Sequence, residues 1–145
     1  MKKSVFFLSR LTAFVAISVL IMAGFTSCDK DEPDSYINNF IGSYSGTETY
    51  TVSGVPVTNQ YTAVVTKSSE KNKVVINAEF MVSGRNESIS VDVSKEGSFT
   101  TSFASVVDGV SQTVVVSSGK FTGSSLTYSY YVQGYVTYTV NLTKL

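Results

Sequence analysis

Residues 73–82 read KVVINAEFMV, and this stretch decides the fold. Apolar side chains occupy every second position, and lysine, asparagine and glutamate lie among the positions between them. A period of two is that of a β-strand with one buried face, whereas a helix repeats about every 3.6 residues. One buried and one solvated face is what an antiparallel sheet over a single core requires. The inward set predicted for this strand is Val74, Ile76, Ala78, Phe80 and Val82.

The same alternation extends from residue 40 to the end of the sequence. This part is rich in Val, Thr, Tyr, Phe and Ser, and no stretch of it repeats its apolar residues at helical spacing. Turn sequences such as Asp108-Gly109 and Ser118-Gly119 interrupt it, and Asp-Gly is a strong signal for a two-residue hairpin. Because the connections are short, neighbouring strands should pair antiparallel in a continuous meander. We predict eight strands, at residues 40–52, 57–67, 73–82, 87–93, 98–105, 110–117, 119–132 and 135–143.

Parity within each strand predicts which side chains face the core. In the first strand the inward positions are occupied by Tyr44, Gly46, Tyr50 and Val52, while serine and threonine fill most of the other face. The remaining strands alternate in the same way. Their predicted inward residues are Val57, Tyr61, Ala63, Val65, Ile89, Val91, Val93, Phe99, Thr101, Phe103, Val110, Val114, Val116, Leu126, Tyr128, Tyr130, Val132, Val136, Tyr138, Val140 and Leu142.

Eight meandering strands leave two exposed sheet edges unless the sheet closes on itself. We therefore predict an all-β fold, an antiparallel eight-stranded up-and-down meander barrel over residues 40–145. A two-sheet β-sandwich is the alternative. Three glycines within the predicted strands, Gly42, Gly46 and Gly123, are expected to mark sharp coiling or bulges that help the barrel close.

The chain begins with a segment typical of membrane targeting. Two lysines and Arg10 are basic, and residues 11–23 are apolar over a length that fits a signal peptide better than a spanning helix. The only cysteine, Cys28, follows after small residues. This arrangement resembles bacterial lipoprotein precursors, in which such a cysteine receives a diacylglyceryl group before the peptide is cut on its N-terminal side. The resemblance implies a signal peptide over residues 1–27 and a membrane anchor at Cys28.

Acidic residues surround Pro33 directly after the cysteine. Since nothing apolar repeats before Tyr36 and Ile37, we expect residues 28–39 to form a solvated, extended tether. An acidic tract in this position resembles the surface-export signal of Bacteroidetes lipoproteins. That resemblance implies an outer-membrane lipoprotein facing the cell exterior, and a generic spacer is the alternative.

The C-terminal part resembles the lipocalin-like, calycin-type barrel lipoproteins of Bacteroidetes. The resemblance rests on GSYSGT at residues 42–47, on the meander, and on a last strand that runs to the C-terminus. It implies a barrel that binds a small ligand. Lipocalins place a tryptophan beside the opening glycine, and this chain contains none, so no ligand-binding residues follow from the resemblance.

Composition excludes several classes of function. Removal of residues 1–27 leaves 8 basic residues against 11 acidic ones, a net charge of −3, which does not favour nucleic acid as a partner. The chain has no histidine, and its single cysteine is assigned to the anchor. Histidine-dependent triads, cysteine nucleophiles and the usual zinc sites therefore cannot be built. We predict no metal site and no cofactor.

Two Ser-x-x-Lys spacings, at residues 68–71 and 117–120, are both predicted to fall in exposed hairpins rather than at a helix start, where that pair works as a catalytic unit. Among the acidic residues within predicted strands, Glu48 has inward parity, whereas Glu79 and Asp92 point outward. No pair of carboxylates converges as glycoside hydrolysis requires. We predict that the protein is not an enzyme.

Two binding hypotheses remain open. In the first, the barrel holds a small apolar or amphipathic molecule, and Glu48 is the polar group that orients it. We expect Glu48 itself to lie near the rim and reach water, because burying a lone carboxylate is costly. Large inward aromatic residues could instead fill the interior completely. The candidate ligand-binding residues are Tyr44, Glu48, Tyr50, Tyr61, Phe80, Phe103, Tyr130 and Tyr138.

In the second hypothesis, the domain contacts a surface glycan or acts as an adhesion or structural module with a filled core. Tyrosines crowd the last predicted hairpin, and Tyr131 and Tyr135 have outward parity, as a platform for stacking sugars would require. Cross-strand aromatic pairing that only stabilises the hairpin explains the same tyrosines and is the more common arrangement.

Overall fold

Eight antiparallel strands form a nearly closed barrel in the computed structural model, which describes residues 35–145. The predicted all-β barrel is therefore confirmed. The signal peptide, Cys28 and tether residues 29–34 lie outside the described residues. The strands are β1 (Gly42–Val52), β2 (Val55–Lys67), β3 (Lys73–Phe80), β4 (Arg85–Asp92), β5 (Ser98–Val107), β6 (Val110–Thr122), β7 (Ser125–Val132) and β8 (Tyr138–Lys144).

The pairing of β1 with β8 joins the two halves of the sheet. It runs from the pair Tyr44 and Lys144 to the pair Thr49 and Thr139, and the sheet order is β4-β3-β2-β1-β8-β7-β6-β5. Close approach of the two strands depends on Gly46, because a Cβ atom there would lie 3.0 Å from the Leu142 Cα and nearer still to the Asn141 carbonyl oxygen. Of the strand glycines that we predicted to matter, Gly46 is thus the one at which two backbones nearly touch.

The continuous meander that we predicted is interrupted between β4 and β5, which are the two ends of the sheet. The backbone groups of their connection bond elsewhere: the Val93 amide donates to the Asn72 carbonyl, and the Gly97 carbonyl accepts from Phe121. Along the seam, the Ser105 hydroxyl donates to Glu87 Oε1 at 2.5 Å. The connecting residues are therefore tied to neighbouring elements, and the two strands lie side by side without a backbone ladder.

Strand β6 continues through Ser118 and Gly119, where we had predicted a turn, so that prediction is wrong. A register shift between Val116 and Ser118 marks a bulge, and beyond it the inward parity changes so that Phe121 faces the core. The turn comes at Gly123, which has a φ of 57° and lies outside the strands rather than inside one as predicted. The Ser-x-x-Lys spacing at residues 117–120 consequently lies within a strand and not in a hairpin.

The predicted inward residues form most of one apolar core, apart from three valines at the strand ends. Val52 and Val110 are exposed because they are the terminal residues of β1 and β6 beside hairpin turns, and Val136 is exposed in the connection between β7 and β8. The Asp-Gly hairpin is confirmed: Asp108 and Gly109 both have positive φ, as a tight two-residue turn requires.

The stretch Ser35–Asn39 is a 3₁₀ helix. We had predicted that it would be the last part of an extended tether. Ile37 is buried, and Phe40, which follows the helix, stacks on Phe121 with ring centroids 4.6 Å apart. The Tyr44 hydroxyl donates to the Phe40 carbonyl at 2.8 Å. Apolar contacts of this short helix therefore cover one end of the barrel. All the strands and core residues described lie within the unit Pro33–Leu145, so this segment carries a complete core of its own.

Candidate functional site

Glu48 is completely buried in the barrel wall, with 0% of its surface exposed. Our expectation that it lies near the rim and reaches water is therefore wrong. Its Oε1 atom accepts a hydrogen bond from the Tyr130 hydroxyl, whereas its Oε2 atom is buried without a hydrogen-bond partner. Buried polar atoms in folded proteins nearly always have a partner, so an orphaned carboxylate oxygen needs an explanation.

Several aromatic side chains pack around this carboxyl. The Tyr130 hydroxyl also accepts from the Met81 amide at 3.0 Å, which fixes the orientation of its oxygen. The Tyr130 ring stacks on Tyr138 at 4.8 Å between centroids and meets the edge of Phe80 at the same distance. The contacts continue outward, from Tyr138 to Tyr50 at 4.9 Å and from Phe80 to Phe103 at 5.0 Å.

Seven of the eight candidate residues thus lie around one site, while Tyr44 does not. Tyr61 joins them through a 3.0 Å hydrogen bond between its hydroxyl and that of Tyr128, whose ring is near Phe80 and Tyr130. Tyr44 belongs to the opposite end of the barrel, where it packs against Phe121 beside the 3₁₀ helix. The aromatic candidates pack against one another in the core, so they surround Glu48 and do not line a large apolar cavity.

A pocket of about 100 Å³ lies next to Glu48, and we refer to it as the Glu48 pocket. Its lining residues are Glu48, Gln60, Tyr61, Glu79 and Met81. The pocket forms because β2 and β3 separate: their last paired residues are Ala63 and Ala78, although β2 continues back to Val55. Since a water molecule occupies about 30 Å³, the pocket has room for a few waters or for one small polar group.

Sequence reasoning missed Gln60, Glu79 and Met81. The first two have outward parity, and Met81 follows the end of β3, so none was a candidate for an inward site. They line the pocket because it opens through the wall at a gap between strands, where outward and inward residues meet. The unequal length of β2 and β3, 13 and 8 residues, is visible only in the structure, because the strands predicted at residues 57–67 and 73–82 are nearly equal in length.

Burial raises the pKa of Glu48 above its ordinary value of 4.5, and the nearby charge of Glu79 raises it further. The hydrogen bond from Tyr130 acts in the opposite direction because it stabilises the carboxylate. The pKa values of Tyr61 and Tyr130 are also raised, mainly by burial, so both hydroxyls keep their protons at neutral pH. The site therefore combines fixed hydroxyl groups with one carboxyl whose charge depends on its surroundings.

Replacing Glu48 with glutamine is expected to change how stability depends on pH. Because the folded protein binds the Glu48 proton more tightly than the unfolded chain does, this group costs nothing below about pH 4.5 and destabilises the fold increasingly as pH rises. Glu48→Gln should therefore raise the melting temperature of Pro33–Leu145 more at pH 7 than at pH 4. Thermal denaturation of both proteins at each pH measures the difference, and an equal shift at the two pH values would contradict it.

A second depression, of about 620 Å³, lies on the outside of the barrel between β6 and β7. Its lining includes Tyr131, Val115, Gln112 and Gln133. Tyr135, which we had grouped with Tyr131 as a sugar platform, is not among the lining residues, and its hydroxyl donates to Asp108 Oδ2 at 2.6 Å. Tyr131 therefore lines the depression directly, whereas Tyr135 is connected to it through Gln112, a lining residue that is hydrogen-bonded to the Tyr135 hydroxyl.

Comparison with protein-family models and with curated proteins finds no match for this chain. Within residues 35–145, no helix has the length and apolar character needed to cross a membrane. The same residues contain no cluster of three or more carboxylate, cysteine or histidine ligands that could hold a metal ion. The fold and the geometry of the Glu48 pocket are thus the basis for assigning a function.

Proposed function

We propose that this protein is a lipid-anchored bacterial lipoprotein whose barrel binds a small amphipathic ligand, with the polar end of the ligand in the Glu48 pocket. The observation that carries this proposal is the fully buried Oε2 atom of Glu48, which has no partner and belongs to a residue that lines the pocket. Leaving a buried acceptor unpaired costs about 1–3 kcal/mol. A ligand that donates a hydrogen bond to this atom recovers that free energy.

The pocket also has the mixture of groups that an amphipathic molecule requires. Gln60 and Tyr61 are lining residues with polar groups, and Met81 is an apolar one. The Tyr61 hydroxyl accepts a hydrogen bond from the Tyr128 hydroxyl, so its own hydrogen is not used in that bond. Because Glu48 has no exposed surface, a ligand reaches it when a lining side chain moves aside, and Met81 is a flexible one.

Binding is tested with Pro33–Leu145, mixed with n-decanol, decanoate and decylammonium, each below its micelle concentration. Native mass spectrometry should show a one-to-one complex with at least one of these probes. A Gln60→Trp substitution fills the mouth of the pocket from an exposed position and should remove the complex. Thr58→Trp, on the same outer face of β2, is the matched control and should retain it. The absence of any complex with all three probes would overturn the proposed binding function.

The outer groove at Tyr131 supports the glycan-contacting alternative, because a half-buried tyrosine beside two glutamine amides suits stacking and hydrogen bonding to a sugar. The same mass spectrometry decides between the two sites. A complex that survives Gln60→Trp but is lost in Tyr131→Ala would assign binding to the outer groove.

The proposed anchor rests on the sequence before the barrel, in which an apolar segment, small residues and Cys28 precede an acidic tract. Replacing Cys28 with serine removes the thiol that would carry the lipid, and the protein should move from the membrane fraction to the soluble fraction. The outward orientation predicts that trypsin added to intact cells cleaves the barrel domain. Continued membrane association of Cys28→Ser, or full protection from trypsin, would contradict the corresponding part of the proposal.

A further inference from the structure

Four hairpin tips at one end of the barrel carry exposed apolar side chains, and we call them the apolar rim. The rim is the end opposite the 3₁₀ helix, since it holds the β1–β2, β3–β4, β5–β6 and β7–β8 connections. Val55 and Val110 are 63% and 60% exposed. Six of the eight large apolar side chains that are exposed within residues 35–145 belong to this rim: Val52, Val55, Met81, Val110, Tyr135 and Val136.

Charge is divided between the two ends of the barrel. All six lysines of the described residues lie at or near the end that the 3₁₀ helix covers: Lys67, Lys71, Lys73, Lys95, Lys120 and Lys144. With Glu70, Asp92 and Glu96, that end has a net charge of +3. The half nearer the rim contains Glu48, Glu79, Glu87, Asp108 and Arg85, which gives −3. The Glu48 pocket therefore lies in the acidic half.

We propose that the ligand of the Glu48 pocket is a cationic amphiphile, with an ammonium group between Glu48 and Glu79 and its hydrocarbon chain against the apolar rim. This inference rests on the proposed function and specifies its ligand class. Met81 connects the two parts, because it lines the pocket and is also one of the exposed rim residues. A head group in the pocket therefore places the attached chain on the rim.

The polar groups of the pocket favour a cation over other head groups. The Glu48 Oε2 atom needs a donor, and an ammonium group has three donors and no acceptor. The side-chain groups that act on the Glu48 carboxyl are the Tyr130 hydroxyl and Glu79, and within residues 35–145 no lysine or arginine is among them. A carboxylate or phosphate head would meet two acidic residues without a compensating cation. An ammonium group instead forms charge-assisted hydrogen bonds, which are about twice as strong as neutral ones.

The closing experiment measures Kd values by isothermal titration calorimetry for decylammonium, n-decanol and decanoate with Pro33–Leu145. Decylammonium should bind about tenfold more tightly than decanol, which is the difference expected between a charge-assisted and a neutral hydrogen bond, and decanoate should bind most weakly. Hexylammonium should bind more weakly than decylammonium, because its shorter chain covers less of the rim.

Two variants connect this preference to the pocket. Glu79→Gln changes an exposed residue outside the core, and Glu48→Gln keeps the shape of the buried side chain. Each should reduce the preference for decylammonium over decanol several-fold, whereas Asp92→Asn at the opposite end should leave it unchanged. Equal binding of decanol and decylammonium that is still blocked by Gln60→Trp would overturn the cationic class while the proposed function stands. A decylammonium preference unaffected by either glutamate substitution would also overturn the inference.

Discussion

Replacing Gly46 with alanine is expected to lower the free energy of unfolding by about 3 kcal/mol or more, the upper part of the range for overpacked sites. The new methyl group would overlap the Asn141 carbonyl oxygen and crowd the Leu142 Cα, and both belong to the backbone of β8. A side chain could rotate away from such an overlap, but a paired strand can only move as a whole. Because the β1–β8 ladder joins the two halves of the sheet, relief of the clash costs hydrogen bonds as well as packing.

Urea denaturation of Pro33–Leu145 measures this effect, and the neighbouring substitution Ser45→Ala is its control. Ser45 already has a Cβ atom, and its side chain projects to the other face of β1, so we expect a change within about 0.5 kcal/mol. An unfolding midpoint of Gly46→Ala equal to that of the parent would mean that β1 and β8 do not approach as closely as described.

Removing the hydroxyl of Tyr130 is the second large effect that we expect. Tyr130→Phe keeps the ring and its contacts but leaves the Glu48 carboxyl without its remaining hydrogen bond and the Met81 amide without an acceptor. An unsatisfied buried group costs about 1–3 kcal/mol, and the partly buried Met81 amide adds a smaller cost, so the variant should lose about 2–4 kcal/mol of stability. Chemical denaturation at neutral pH provides the measurement.

A matched variant distinguishes the loss of the Tyr130 hydrogen bonds from the effect of removing a hydroxyl from a stacked ring. Tyr138 stacks on Tyr130 nearly in parallel, with an interplanar angle of 6°, and its hydroxyl makes no hydrogen bond to the part of the chain that the structure describes. Tyr138→Phe should therefore cost less than about 1 kcal/mol. If the two phenylalanine variants were equally stable, the Tyr130–Glu48 bond would contribute nothing measurable to the fold.

The barrel could be predicted from sequence because burial on one face imposes a period of two on the side chains, and this period is visible without coordinates. Stretches such as residues 73–82 follow it without interruption. The prediction failed in β6, where a bulge after Val116 changes the parity and brings Phe121 inward. It also failed at the seam between β4 and β5, because a short connection does not reveal that its backbone groups bond to other elements.

The sequence predicted which face of the strand Glu48 occupies, but not how deeply its carboxyl is buried. Parity placed Glu48 on the inner face together with the aromatic residues that surround it. How far the carboxyl lies from water depends on the surrounding rings and on where β2 and β3 separate. The alternation within a single strand reveals neither the packing of the rings nor the point of separation. Gln60, Glu79 and Met81 could therefore be identified as lining residues only from the three-dimensional structure.

The division of charge between the two ends makes the barrel an electric dipole, with its positive pole at the end that the 3₁₀ helix covers. A dipole experiences a torque near a charged surface. Near a layer of anionic groups the favoured orientation therefore turns the lysines toward that layer and the acidic half, which contains Glu48, away from it.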